Sequence, residues 1–109
     1  MSEKEIRVIH FPANGQPRLR TIKDELGEYQ RLVGGHIEVV TLMPDKGLVM
    51  ICNEDGKLLG LEKNFIWGTP PFHDVIVGDV IICGTDGEDF TDIPIDFKSW
   101  KFIIDKYNE

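Results

Sequence analysis

The sequence predicts one α+β domain: a mainly antiparallel sheet of about five to seven strands, a short helix after the first hairpin and a second helix at the C-terminus. Three observations carry this. Short β-branched runs alternate with Gly-, Asn- and Asp-rich turns; two segments place apolar residues at helical spacing; and 109 residues, 41% hydrophobic and 28% charged, suit a single soluble core. The domain is expected to span 1–109, with a disordered start at 1–4 and the C-terminal helix over 96–108.

Glu5 to Phe11 sets Ile6, Val8 and His10 against Arg7, Ile9 and Phe11, the pattern of a strand apolar on both faces. Pro12-Ala13-Asn14-Gly15 supplies a turn, and Pro17 to Ile22 alternates again, which predicts a first hairpin. A helix follows over Asp24 to Val33, where Ile22, Leu26, Tyr29 and Val33 share one face. Thr21 or Asp24 can cap its start, and Gly34-Gly35 stops it. His36 to Leu42 is β-branched and ends before Pro44, so it is a strand.

Gly47 to Cys52 and Lys57 to Leu61 flank the turn Asn53-Glu54-Asp55-Gly56 and are expected to form a second hairpin. Glu62 to Asp74, with Trp67, Gly68 and Pro70-Pro71, is expected to be a structured loop. Gly78 to Cys83 is a buried strand, Gly84 to Glu88 a turn, and Phe90 to Ile93 a short strand. Finally Asp96 caps a helix whose stripe is Phe97, Trp100, Ile103, Ile104 and Tyr107. Ile51-Cys52-Asn53-Glu54-Asp55-Gly56 and Ile82-Cys83-Gly84-Thr85-Asp86-Gly87 share I-C-x-x-D-G. Two similar strand-to-turn exits account for this without duplication.

Several function classes are excluded or disfavoured. No apolar stretch approaches the roughly 20 residues that span a bilayer, and MSEKEIR lacks the apolar core of a signal peptide, so a cytoplasmic protein is expected. Cys52 and Cys83 sit in apolar runs, outside any zinc spacing, and read as buried reduced thiols. Ser2 and Ser99 are the only serines, and neither lies in a hydrolase motif. The acidic turns lack the spacing of a calcium loop. No enzyme, metal or cofactor is expected.

Three blocks carry a family resemblance. They are Leu32-Val33-Gly34-Gly35-His36-Ile37-Glu38-Val39-Val40, Met50-Ile51-Cys52-Asn53-Glu54-Asp55-Gly56-Lys57-Leu58-Leu59-Gly60-Leu61, and Ile76-Val77-Gly78-Asp79-Val80-Ile81-Ile82-Cys83-Gly84 running on to Asp86-Gly87-Glu88-Asp89-Phe90. From about Ile6 to Asp92 the chain resembles the domain-of-unknown-function 3846 family, small proteins of bacteriophages, prophages and conjugative elements. The resemblance implies an accessory protein of a mobile element in a bacterial cytoplasm, and no catalytic residue. It leaves the aromatic C-terminal helix outside the shared blocks.

Charge then ranks the remaining functions. The net charge is −7, but residues 1–23 carry Lys4, Arg7, Arg18, Arg20 and Lys23 against Glu3 and Glu5. From Asn64 to Phe97 there is no Lys or Arg, yet Asp74, Asp79, Asp86, Glu88, Asp89, Asp92 and Asp96 all fall there. Such a chain repels duplex phosphates and can instead imitate them against a basic protein groove. The preferred expectation is a non-enzymatic protein that inhibits or modulates a host protein such as a defence factor. Asp86, Glu88, Asp89 and Asp92 make the contact, with Trp67 and Phe90 as apolar anchors. A merely solubilising acidic surface and a Trp67 packed as a lid are the plain alternatives. A second hypothesis is a small-molecule, nucleotide-type binder using Gly34, Gly35, His36, Glu38 and Asn53, with Arg18 and Arg20 gathered beside them. A third is a homo-oligomer built by pairing an exposed strand.

Overall fold

The structure, a computed structural model, describes residues 4–109; residues 1–3 of the expected disordered start lie outside the described residues. Lys4 is held in place: its carbonyl accepts from Asp24 N–H at 3.0 Å, and its ammonium lies 3.4 Å from the Asp24 carboxylate.

Among the described residues eight strands and two α-helices follow one another as β1 (Glu5–Phe11), β2 (Arg18–Lys23), α1 (Leu26–Val33), β3 (Ile37–Met43), β4 (Leu48–Asn53), β5 (Lys63–Trp67), β6 (Asp74–Val77), β7 (Val80–Thr85), β8 (Phe90–Thr91) and α2 (Phe97–Tyr107), with a single 3-10 turn at Pro44–Lys46 between β3 and β4. The main sheet runs β2-β1-β7-β4-β3, and every pairing is antiparallel. β8 pairs with the far end of β7, past the residues that β1 pairs with. β5 and β6 form a separate hairpin. The α+β class and both helices match the expectation.

β4 is buried along its length, and β7 as far as Gly84, because both faces of the sheet are covered. On one face Ile6, Val8, Ile51 and Ile81 pack beneath Tyr29 and Val33 of α1. On the other, Ile9, Phe11, Met50 and Ile82 pack beneath Phe65, Ile76, Trp100 and Ile104. That second cover has two parts, the β5–β6 hairpin and α2. Asn108, just past α2, joins them: its amide accepts from Ile66 N–H at 2.7 Å and donates to Ile66 C=O at 3.0 Å.

α2 begins as its sequence dictates, with the Asp96 carboxylate accepting from Ser99 N–H at 2.7 Å. α1 does not. Its N-cap is Glu25, without a side-chain bond, because the Asp24 carboxylate is occupied by the Tyr29 hydroxyl and by Lys4.

The expected strand at Lys57–Leu61 is absent. β4 already has β3 on one edge and β7 on the other, so a hairpin partner would have no edge to pair with. Residues 54–60 coil into turns, with Leu59 N–H donating to Asp55 C=O at 2.8 Å. The expected loop over Glu62–Asp74 contains β5 and the first residue of β6, paired from Lys63↔Val77 to Trp67↔Asp74 around the Pro70-Pro71 reversal.

The expected turn at Gly84 is still strand. A Cβ there would lie 2.5 Å from Thr91 Oγ1 and 2.6 Å from Asp92 C=O, so glycine is what lets β8 close on β7. The two I-C-x-x-D-G segments prove unlike in placement. Cys52 belongs to the face under α2 and Cys83 to the face under α1. No helix among the described residues is long and apolar enough to cross a membrane.

Candidate functional site

The acidic turn between β7 and β8 is built from its own side chains. Asp86 accepts from Glu88 N–H at 2.9 Å and from Asp89 N–H at 2.8 Å, while the Thr85 hydroxyl donates to Asp89 C=O at 3.0 Å. The Asp89 and Glu88 backbone donors hold the Asp86 carboxyl below its usual range. Asp86, Glu88 and Asp89 are all exposed. Asp92 is exposed too, but one of its oxygens accepts from Arg7 N–H at 2.8 Å, tying β1 to the segment after β8. The ion pairs among the described residues, Lys4–Asp24, Arg31–Glu28 and Lys57–Asp74, take in none of these four carboxylates.

The expected apolar anchors do not stand together beside this turn. Phe90 packs edge-on against Tyr29, with ring centres 5.1 Å apart, on the α1 face. Trp67 is half-buried on the opposite face, stacked on Trp100 at 5.8 Å and edge-on to Tyr107 at 5.1 Å. The sheet lies between them, and Trp67 is packed as a lid.

Nor are the residues of the expected ligand site gathered in one place. Gly34 adopts the left-handed C-cap conformation at φ 80°, and its N–H donates to Gln30 C=O, which is the work of a helix stop. Gly35 makes room for Asn53: a Cβ on it would lie 2.9 Å from Asn53 Nδ2. That amide donates to Val33 C=O at 3.2 Å and accepts from Asp55 N–H at 2.8 Å, latching the end of α1 to the end of β4. His36 is exposed, and its carbonyl accepts from Glu54 N–H at 2.8 Å. Glu38 and Asn53 do share a shallow groove of about 170 Å³ with Lys57 and Asp74. Arg18 and Arg20 lie on β2, at the opposite edge of the sheet from β3, four strand spacings or roughly 19 Å away.

Arg20 has a different partner, His10. Its guanidinium lies 3.1 Å from His10 Nδ1, and burial, then Arg20, lowers the imidazole pKa. Burial pushes the Cys52 thiol up to about 11 and the Cys83 thiol up to about 12, which makes both poor nucleophiles at neutral pH.

One arrangement has no signal in the sequence. Between α2, β5 and the β1–β2 turn lies a cleft of about 220 Å³ lined by Phe11, Pro17, Asn64, Trp100 and Ile104. Both Asn64 Oδ1 and Trp100 Nε1 are buried without a hydrogen-bond partner.

A family model described as "Domain of unknown function (DUF3846)" matches residues 6–107. No curated protein and no solved structure matches the chain. The family match runs beyond the expected limit near Asp92 and takes in the whole of α2, so the aromatic C-terminal helix belongs to the shared domain. From the second residue of β1 to the end of α2, the chain belongs to the DUF3846 family.

Proposed function

We propose that this chain acts by binding rather than catalysis, as an accessory protein of a mobile genetic element in a bacterial cytoplasm. Its partner is a basic surface on a host protein, such as a defence factor, which it inhibits or modulates. The observation that supports this reading is the turn at 85–89, where self-contained hydrogen bonds present exposed carboxylates with no ion-pair partner among the described residues. Lys4 is the nearby cation whose field reaches Asp86. A rigid display of like charges favours a cationic partner and steers its approach, at the cost of sensitivity to salt. Phe90 closes the turn by pairing with Thr85, with its ring edge-on to Tyr29.

The test is native mass spectrometry of the protein taken from a bacterial lysate at low salt, alongside the variant Asp86→Asn, Glu88→Gln, Asp89→Asn, Asp92→Asn. Amide side chains keep the Oδ1 acceptors that hold the turn and the Arg7 N–H, so charge is removed while the fold is kept. A protein partner that dissociates steeply with salt and is lost from the variant is the expected result. A partner retained by the variant, or indifferent to salt, would overturn the acidic contact.

A further inference from the structure

We propose that the free edge of β3 takes up an extended basic segment of another protein as an added antiparallel strand, with a Lys or Arg of that segment set against Glu38 and Glu54. The residues involved are not those of the acidic turn, and the inference stands without it.

β3 is an outer strand: among the described residues it pairs with β4 alone. His36 C=O accepts from Glu54 N–H, so along the same ladder the backbone groups of Glu38 and Val40 also point at β4. Those of Ile37, Val39 and Thr41 point outward, three donors and three acceptors in a row that end at the bulge between Thr41 and Met43. The edge is open to solvent, with Glu38 and Thr41 exposed and Val39 46% exposed. Sheet edges are commonly guarded by basic residues or proline. β2, the other outer strand, has Arg18, Arg20 and Lys23, whereas β3 has neither a basic residue nor a proline.

The side chains beside this edge select the partner. Residues of an added strand opposite Glu38 and Val40 share their face, where Glu38, Val40, Glu54 and Leu58 line the groove of about 170 Å³. That volume is well under the ~300 Å³ at which drug-sized pockets begin and suits a side chain. Lys57, the cation of the groove, is held by Asp74 at 2.8 Å, while Glu38 and Glu54 have no ion pair among the described residues. Glu38 Oε1 has only a long contact with the Cys52 thiol, at 3.9 Å. A basic residue is therefore favoured opposite Glu38, and an apolar one opposite Val39 on the other face. A second copy of β3 is disfavoured. Pairing Val39 with Val39 would use the same backbone groups, but it sets two Glu38 side chains on one face between chains of net charge −7.

The probe is the end-capped heptapeptide TKVKVKT, added to ¹⁵N-labelled protein at low salt. The Ile37, Val39 and Thr41 amides should shift and saturate. The control TEVEVET should not bind, and TKVKVKT N-methylated at both valines should bind roughly tenfold more weakly, because those valines donate to β3. Glu38→Gln combined with Glu54→Gln should weaken binding roughly fivefold. Val39→Pro removes an outward donor without touching the β3–β4 ladder and should abolish binding. If it does not fold, Val39→Lys guards the edge to the same effect. The variant neutralised at Asp86, Glu88, Asp89 and Asp92 should bind as the native protein does. No saturable shift at the three β3 amides would overturn the proposal. So would equal binding of TEVEVET or the N-methylated peptide, unchanged binding in the glutamine or Val39 variants, or loss of binding in the acidic-turn variant. Shifts along β3 that follow protein concentration without peptide would assign the edge to a second copy instead.

Discussion

Under α1 the sheet buries short aliphatic side chains, Ile6, Val8, Val49, Ile51 and Ile81, closed by Tyr29 and Val33. The opposite face buries Phe11, Phe65 and Trp100 beneath a cover of unlike parts, a hairpin and a helix joined through Asn108. The first surface needs only eight residues of helix. The second relies on large planar rings at fixed angles: Phe11 stacks on Phe65 at 5.1 Å, Phe65 meets Trp100 edge-on at 5.9 Å, and Trp67 stacks on Trp100 at 5.8 Å. Rings fill space in large units and leave gaps where their edges diverge. The cleft beside α2 lies on that face, and so do two buried polar atoms without partners, Asn64 Oδ1 and Trp100 Nε1.

The difference can be broken most forcefully at Trp100, which touches both parts of the aromatic cover. Trp100→Ala should cost about 3–5 kcal/mol, a large share of the ~5–15 kcal/mol that holds a domain of this kind together. Thermal and urea melts measure the loss. Near-UV circular dichroism should fall further than far-UV, because the ring stack goes before the sheet. Loss of the two signals in step would show that the cover and sheet are one cooperative unit.

The α1 face depends on a latch instead. Asn53→Ala removes the donor to Val33 C=O and the acceptor for Asp55 N–H, and should cost roughly 1–3 kcal/mol. Gly35→Ala should act in the same direction, since its Cβ would stand 2.9 Å from the Asn53 amide. Amide hydrogen exchange distinguishes a local from a global effect: α1 should exchange faster while α2 keeps its protection. Equal acceleration in both helices would show that Asn53 supports the whole sheet.

These two covers were unequally legible in the sequence. α2 was legible because its signals are local: the Asp96 cap, and a stripe whose Trp100 and Ile104 become its buried positions. The glycine stop of α1 was legible for the same reason. The β5–β6 hairpin was not, because its strands flank a proline reversal and pair only with each other. Lys57–Leu61 misled because its turn looked like a hairpin, and only the topology shows that both edges of β4 are taken. For the candidate sites the limit is one of faces. The sequence did not reveal that Phe90 faces α1, nor that Trp67 belongs to the cover on the opposite face. An orphaned atom such as Trp100 Nε1 is defined entirely by what surrounds it in space.

The smallest expected effect sharpens the contrast from the α1 side, at His10. Strand alternation sets it on the same face as Ile6 and Val8, and it is buried with Nε2 unpartnered. The charged groups acting on it are Arg20 and Arg18 of β2, Arg31 of α1, and Asp79 just before β7; only Asp79 favours its protonated form. Burial and the arginines keep the ring neutral, with Nδ1 accepting from Arg20, so its folded pKa lies below the ordinary value of 6.5. The unfolded chain then binds the proton more readily. The stability contributed by neutral His10 is present in full above about pH 6.5 and is lost as pH falls through the lower folded value. Urea midpoints should therefore drop from pH 7 to pH 5. His10→Gln, which can still accept from Arg20 but does not titrate, should drop less. An equal fall in both proteins would place the acid sensitivity elsewhere and leave the α1 face with no titrating group of consequence in that range.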